Sequence, residues 1–85
     1  MKHERKEKMN ERLARLERAA STFGIKLSNP TKNSREFELS PFRTIRFQCQ
    51  GKGTMLIEAR HSGVLEARDI ARDDRVTELL RKAAE

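Results

Sequence analysis

Apolar residues recur along this chain with two different periods, and the change of period divides it into elements. Met9, Leu13, Leu16, Ala20 and Phe23 are spaced by four, three, four and three residues. That spacing draws one stripe along a helix. The intervening residues are good helix formers, and Gly24 followed by Ile25 supplies a left-handed stop with its apolar seal. The pattern predicts a helix over about residues 3–23. Residues 28–34, Ser-Asn-Pro-Thr-Lys-Asn-Ser, are turn formers around a proline and read as a loop.

From residue 35 the period drops to two. Residues 35–40 place Phe37 and Leu39 on one face and Glu36 and Glu38 on the other. Residues 43–49 send Ile45, Phe47 and Cys49 inward, with Thr44, Arg46 and Gln48 outward. Gln50-Gly51-Lys52-Gly53 is a turn, and residues 54–60 follow with Met55, Ile57 and Ala59 inward and Leu56, Glu58 and Arg60 outward. His61-Ser62-Gly63 turns the chain again. Residues 64–68 close the series with Leu65 and Ala67 expected inward. Such alternation is the signature of a sheet buried on one side. Val76, Leu79, Leu80 and Ala83 then return to helical spacing, with Asp73 or Asp74 expected as the N-cap and Arg81 and Lys82 in the last turn.

The predicted class is α+β: an N-terminal helix, a three- to four-stranded antiparallel meander and a C-terminal helix, both helices on one sheet face. Residues 1–8 carry no apolar residue after the first Met and are expected to be a charged, flexible N-terminus, with residues 9–85 as a single domain. A chain of 85 residues buries a thin core, and this one is 35% hydrophobic and 38% charged, without Trp or Tyr. So lean a core favours support from a second copy or a partner.

Several kinds of chemistry are weighed against plainer readings. Cys49 is the only thiol and shares the parity of Ile45 and Phe47, so a buried, inert role is expected rather than a nucleophile activated by His61. One thiol forms no intramolecular disulfide, and no stretch has the length of a membrane span or the make-up of a signal peptide. The expected setting is therefore cytoplasmic, for a complete small protein. His3 and His61 are scattered, so no metal site is expected. Asp73, Asp74 and Glu78 read as the acids of a helix start. Gly51-Lys52-Gly53-Thr54 lacks the glycine spacing and the strand–loop–helix setting of a phosphate loop. The chain is expected to be no enzyme and to use no cofactor.

Charge then becomes the main lead. The chain carries a formal net charge of +6. It is densest over residues 26–52, where Lys26, Lys32, Arg35, Arg43, Arg46 and Lys52 face only Glu36 and Glu38, a net +4. Excess positive charge favours anionic partners. The candidate binding set is Lys32, Arg35, Arg43, Arg46, Lys52, Arg60 and Arg68, on the outward sheet face and its loops, which suits phosphate contacts without sequence readout. Arg46, Arg60 and Arg68 come from successive strands and are expected to form a row. The chain has no Tyr or Trp and its outward strand positions carry no Phe, so no stacking platform is expected, which speaks against binding single strands. Along the first helix Lys2, Arg5, Lys6, Lys8, Arg12, Arg15 and Arg18 are further phosphate candidates, offset by four Glu. Met9 and Leu13 on its outer half, with Leu56 and Val64 on the sheet, are candidate contacts to a second copy or a partner.

The helix–strands–helix order resembles the double-stranded-RNA-binding domain in topology alone. The basic cluster that opens the second helix of that family is missing, because Arg72-Asp73-Asp74-Arg75 stands there. No function is carried over. The expectation is a non-enzymatic basic protein that engages nucleic acid or a nucleoprotein, and is a candidate homodimer. The alternative is a protein–protein inhibitor or adaptor, of the kind made by phages and plasmids to block a host nuclease, docking on an acidic protein surface. No membrane role is expected.

Overall fold

The computed structural model describes residues 2–51 and 53–85, with side chains from Met9 onward. The side chains of residues 1–8, where the flexible N-terminus was expected, and Lys52 lie outside the described residues. The elements run α1 (Lys2–Thr22), β1 (Lys26–Pro30), β2 (Ser34–Ser40), β3 (Arg43–Gln50), β4 (Thr54–His61), β5 (Val64–Arg72) and α2 (Asp73–Ala83). The strands form one antiparallel sheet in the order β1-β2-β3-β4-β5. The class is the expected α+β meander between two helices.

Among the described residues the strand count differs: five rather than three or four. Residues 28–34 are not all loop, because β1 pairs with β2 through Lys26–Glu38, Leu27–Phe37, Asn29–Glu36 and Pro30–Arg35. Pro30 has no N–H, which an edge strand tolerates where a central strand does not. All five β1 residues are exposed, so there was no burial alternation to read. β5 likewise extends to Arg72 rather than ending near residue 68. A bulge beside Ala59 and Arg60 sets Ala67 opposite Ala59 but Leu65 opposite Arg60. Leu65 therefore shares the face of Arg60, not the inward face expected from simple alternation. With five strands the chain also leaves the helix–three strands–helix order of the resemblance.

Each helix end has a local cause. Ile25 N–H donates to Ala20 O at 2.8 Å and Gly24 N–H to Ser21 O at 3.1 Å, with Gly24 at φ 74°. This is the paired C-terminal closure that left-handed glycine permits. Ile25 then packs against the core. At the other helix the N-cap is Arg72, with no side-chain cap, and not Asp73 or Asp74. Both acids lie in the first turn, because β5 runs directly into α2 and leaves no residue between them.

Both helices cover one sheet face. Leu16, Ala20, Val76 and Leu80 meet Phe37, Ile45, Phe47, Met55 and Ile57 in a single buried cluster. The Phe37 and Phe47 rings pack edge to face, 6.1 Å apart. The opposite face has no helix over it, so its side chains set what the molecule presents there. Of the two edges, β1 carries the proline and a bulge. On β5 the Asp69 Oδ1 accepts the Ile70 N–H at 2.8 Å. These devices blunt edges that would otherwise template strand addition.

Candidate functional site

The open sheet face is organised by register. Glu36, Arg46, Glu58 and Arg68 lie directly opposite one another across β2 to β5, and Glu38, Thr44 and Arg60 make the next row. Residues two apart on a strand share a face, so Arg60 stands beside Glu58. Three arginines from three neighbouring strands thereby surround one carboxylate.

Glu58 is the centre of this array. Its side chain is only 6% exposed, although it lies on the face without helices. The covering groups are the arginines themselves. Arg68 donates from Nε and Nη2 to Glu58 Oε2 at 3.1 and 2.9 Å. Arg60 Nη2 lies 3.5 Å from Oε1, and Arg46 Nε 3.8 Å from the same oxygen. Arg46 also donates from Nη2 to Gln48 Oε1 at 2.9 Å. The Arg68 hydrogen bonds hold the Glu58 carboxyl below its ordinary range; burial opposes them, and the charges of Arg68, Arg46 and Arg60 add to the lowering. One negative charge therefore fixes three positive ones, and the cluster is positive as a whole. The guanidinium of Arg68, with its side chain 60% exposed, still meets solvent.

The lowered carboxyl links this array to stability. A glutamate with a depressed folded value stabilises the fold fully above its ordinary value of about 4.3, and loses that contribution as pH falls through the folded value. Thermal melts of the native chain should be flat from about pH 7 to 5 and fall below about pH 4. Glu58→Gln should lower the melting temperature at pH 7 by several degrees, since about 1 kcal/mol moves a chain of this size by roughly 4–8 °C. The variant's profile should also fall less steeply in acid. Parallel acid profiles for the two proteins would show that the array contributes nothing through its charge.

The other sequence-derived candidates scatter. Arg35 shares the face of Phe47, its partner across β3. It binds Glu17 of α1 and donates to the carbonyl of Ser34 at 2.7 Å. It is a strap between helix and sheet, which takes it off the outward face where the binding set was expected; its parity with Phe37 turns it to the helix side. Arg43 is exposed at the start of β3 with the parity of Ile45, and Lys32 is exposed in the β1–β2 connection. Lys52 lies outside the described residues. Leu13 is 2% exposed. It belongs to the chain's own interior and is not available to a second copy. Met9 and Leu56 are half-buried, and Val64 is 66% exposed. Leu56 stands opposite the exposed Ile70, an apolar pair beside the arginine array.

Arg12 is also withdrawn from the candidate phosphate contacts. Its side chain, 14% exposed, forms an ion pair with Asp73 and donates to the carbonyls of Thr54 and Gln50 at 2.6 and 3.2 Å. Cys49 is half-buried against the core. Burial raises its thiol pKa, the Arg12 charge opposes that shift, and Asp73 adds to it. Among the described residues, no group of three or more His, Cys, Asp or Glu is placed to hold a metal ion, and no helix is long and apolar enough to cross a membrane.

Sequence reasoning had placed Glu58 only among the outward residues. Its role depends on which residues lie opposite it, and alternation along one strand does not give that register. No family model, no curated protein and no solved structure matches this chain.

Proposed function

We propose that this chain is a non-enzymatic nucleic-acid-binding protein that meets phosphates on the β3–β5 half of its open sheet face. The observation that carries this reading is the convergence of Arg46, Arg60 and Arg68 on Glu58. A long cationic side chain loses rotamer freedom when it binds a phosphate. Here the shared carboxylate has already restricted all three, so less freedom remains to be lost. Guanidinium groups also suit phosphate because their donors form a planar fork. The charge on this face is graded. Glu36 and Glu38 stand on β2, while β3 to β5 carry Arg46, Arg60, Arg68 and Arg72 with Glu58 and Glu66, Arg72 lying 4.0 Å from Asp74. A backbone of phosphates fits over the basic half. Such contacts position a nucleic acid without reading its bases. The half-buried Cys49, with its raised thiol pKa, supports a binding role over thiol catalysis.

The test is binding of a labelled random-sequence DNA duplex, and of an RNA of the same sequence, across a salt series. Affinity should fall linearly in log salt, with a slope that counts phosphate contacts. The double variant Arg60→Gln, Arg68→Gln should bind about tenfold more weakly near 100 mM salt, with the slope reduced by about two. An unchanged slope, or no binding by the native chain at low salt, would overturn the reading.

One observation favours a second reading, an adaptor or inhibitor that docks on an acidic protein face. Leu56 and Ile70 place apolar surface beside the arginines, and Ile70 is 58% exposed. A protein partner held there would resist salt far better than a phosphate backbone does, because apolar burial is not screened.

A further inference from the structure

At one end of the sheet two hairpin tips lie side by side, Pro41-Phe42 between β2 and β3 and Ser62-Gly63 between β4 and β5. Ser62 N–H donates to Phe42 O at 2.6 Å, which ties the tips together. Ser62 and Gly63 both have positive φ, 53° and 83°. That is the backbone of a tight two-residue hairpin, uncommon for serine and therefore held by its surroundings. Phe42 is 66% exposed on its tip, whereas Phe37 and Phe47 are fully buried. The core has no claim on Phe42, and its ring is presented to solvent, open to a ligand.

The surroundings of the ring narrow the choice. Residues 39–45 and 59–65 contain Arg43, Arg60 and His61 and no Asp or Glu. Arg43 lies opposite His61, and Arg60 is one step further along β4 and belongs to the array around Glu58. The tip thus sets an exposed aromatic ring near Arg43 and His61 on the helix-side face and Arg60 on the open face, where Glu38 stands in the Arg60 row. An aromatic ring stacks on any nucleobase that is not already stacked on its neighbours, while nearby cations hold the backbone. A duplex offers no such base along its length, but a single strand, an overhang or a loop does.

We infer that Phe42 is a stacking site for an unpaired nucleobase, so that the chain prefers nucleic acid with single-stranded character over a blunt duplex. This inference rests on the nucleic-acid reading above and adds the kind of strand that is bound. The sheet face itself carries no aromatic side chain; the stacking group stands at its end.

The experiment compares a labelled blunt DNA duplex with the same duplex carrying a single-stranded overhang of about ten nucleotides. It uses the native chain, Phe42→Leu, Phe42→Tyr and the Arg60→Gln, Arg68→Gln variant, each checked for an unchanged melting temperature or corrected for unfolded fraction. The native chain should bind the overhang substrate at least about fivefold more tightly, the lower end of what one stacked base contributes. Phe42→Leu should lose that preference while its affinity for the blunt duplex stays unchanged, and Phe42→Tyr should keep it. Binding that depends on the arginines but is indifferent to Phe42 would overturn the stacking site and leave the phosphate reading intact. Failure of the native chain to bind either substrate at low salt would overturn both.

Discussion

Phe47→Ala is expected to remove about 3–5 kcal/mol of stability, the range for truncating a fully buried phenylalanine. A chain of 85 residues holds roughly 4–13 kcal/mol in all, so the variant should lose from about a quarter of its stability to all of it. The reason lies in where the ring sits. Phe47 is on the central strand β3, opposite Ile57 on β4, with Phe37 edge-on beside it. Both helices reach the cluster that contains it. The cavity would open where all the layers meet, and with so few large apolar residues nothing nearby can refill it. Urea unfolding followed by circular dichroism tests this. Phe47→Leu keeps most of the volume and should cost far less. A loss below about 1 kcal/mol for the alanine variant would mean that the helices do not pack across the sheet centre.

The second large effect is expected at Arg12. Arg12→Ala should cost about 2–3 kcal/mol, more than a surface ion pair and less than a core cavity. One guanidinium joins three places that are distant in sequence: the end of β3 at Gln50, the start of β4 at Thr54 and the first turn of α2 at Asp73. Removing it leaves two carbonyls without this donor and the Asp73 carboxylate, 20% exposed, without its partner. Arg12→Lys should rescue little, because a single ammonium cannot reproduce the fork. A double-mutant cycle with Asp73→Ala should show a coupling above about 1 kcal/mol. Near-additive losses would show that the ion pair with Asp73 contributes nothing and that Arg12 acts through the two carbonyls and packing. Well below its melting temperature the Arg12→Ala protein should bind nucleic acid as tightly as the native chain. A reduced salt slope would instead make Arg12 a phosphate contact.

These two residues also show how far the sequence could be read. The inward placement of Phe47 followed from its neighbours, since Ile45, Phe47 and Cys49 alternate with Thr44, Arg46 and Gln48. The same rule placed Phe37, Met55 and Ile57 correctly. Arg12 offered no such signal. It looked like one more cation on a charged helix, and only the docking of α1 beside the β3–β4 turn gives it three partners. Arg35 shows the intermediate case. It reads as a binding cation at the loop edge although its parity is that of Phe37, and the opposing Glu17 comes from an element whose position the strand pattern does not specify.

The open face divides in the same way. Its residues were legible as outward, and so was its excess of arginine. That Arg46, Arg60 and Arg68 enclose Glu58 was not, because the enclosure needs the register of three strands and the bulge near Ala59. Phe42 carries no signal in the sequence, because an exposed ring in a turn is visible only once the core is seen to exclude it.

By itself, the sequence determined the order of most elements, the two periods, the glycine stop of α1 and the composition of the core, because local backbone preference and one-sided burial leave their mark on consecutive residues. Only the tertiary structure decided the edge strand β1, the length of β5, the clamp at Arg12, the carboxylate beneath three arginines and the pairing of the two hairpin tips. Each of those depends on which distant residues come to lie opposite one another, and that is set by register and helix docking, to which no single stretch of chain refers.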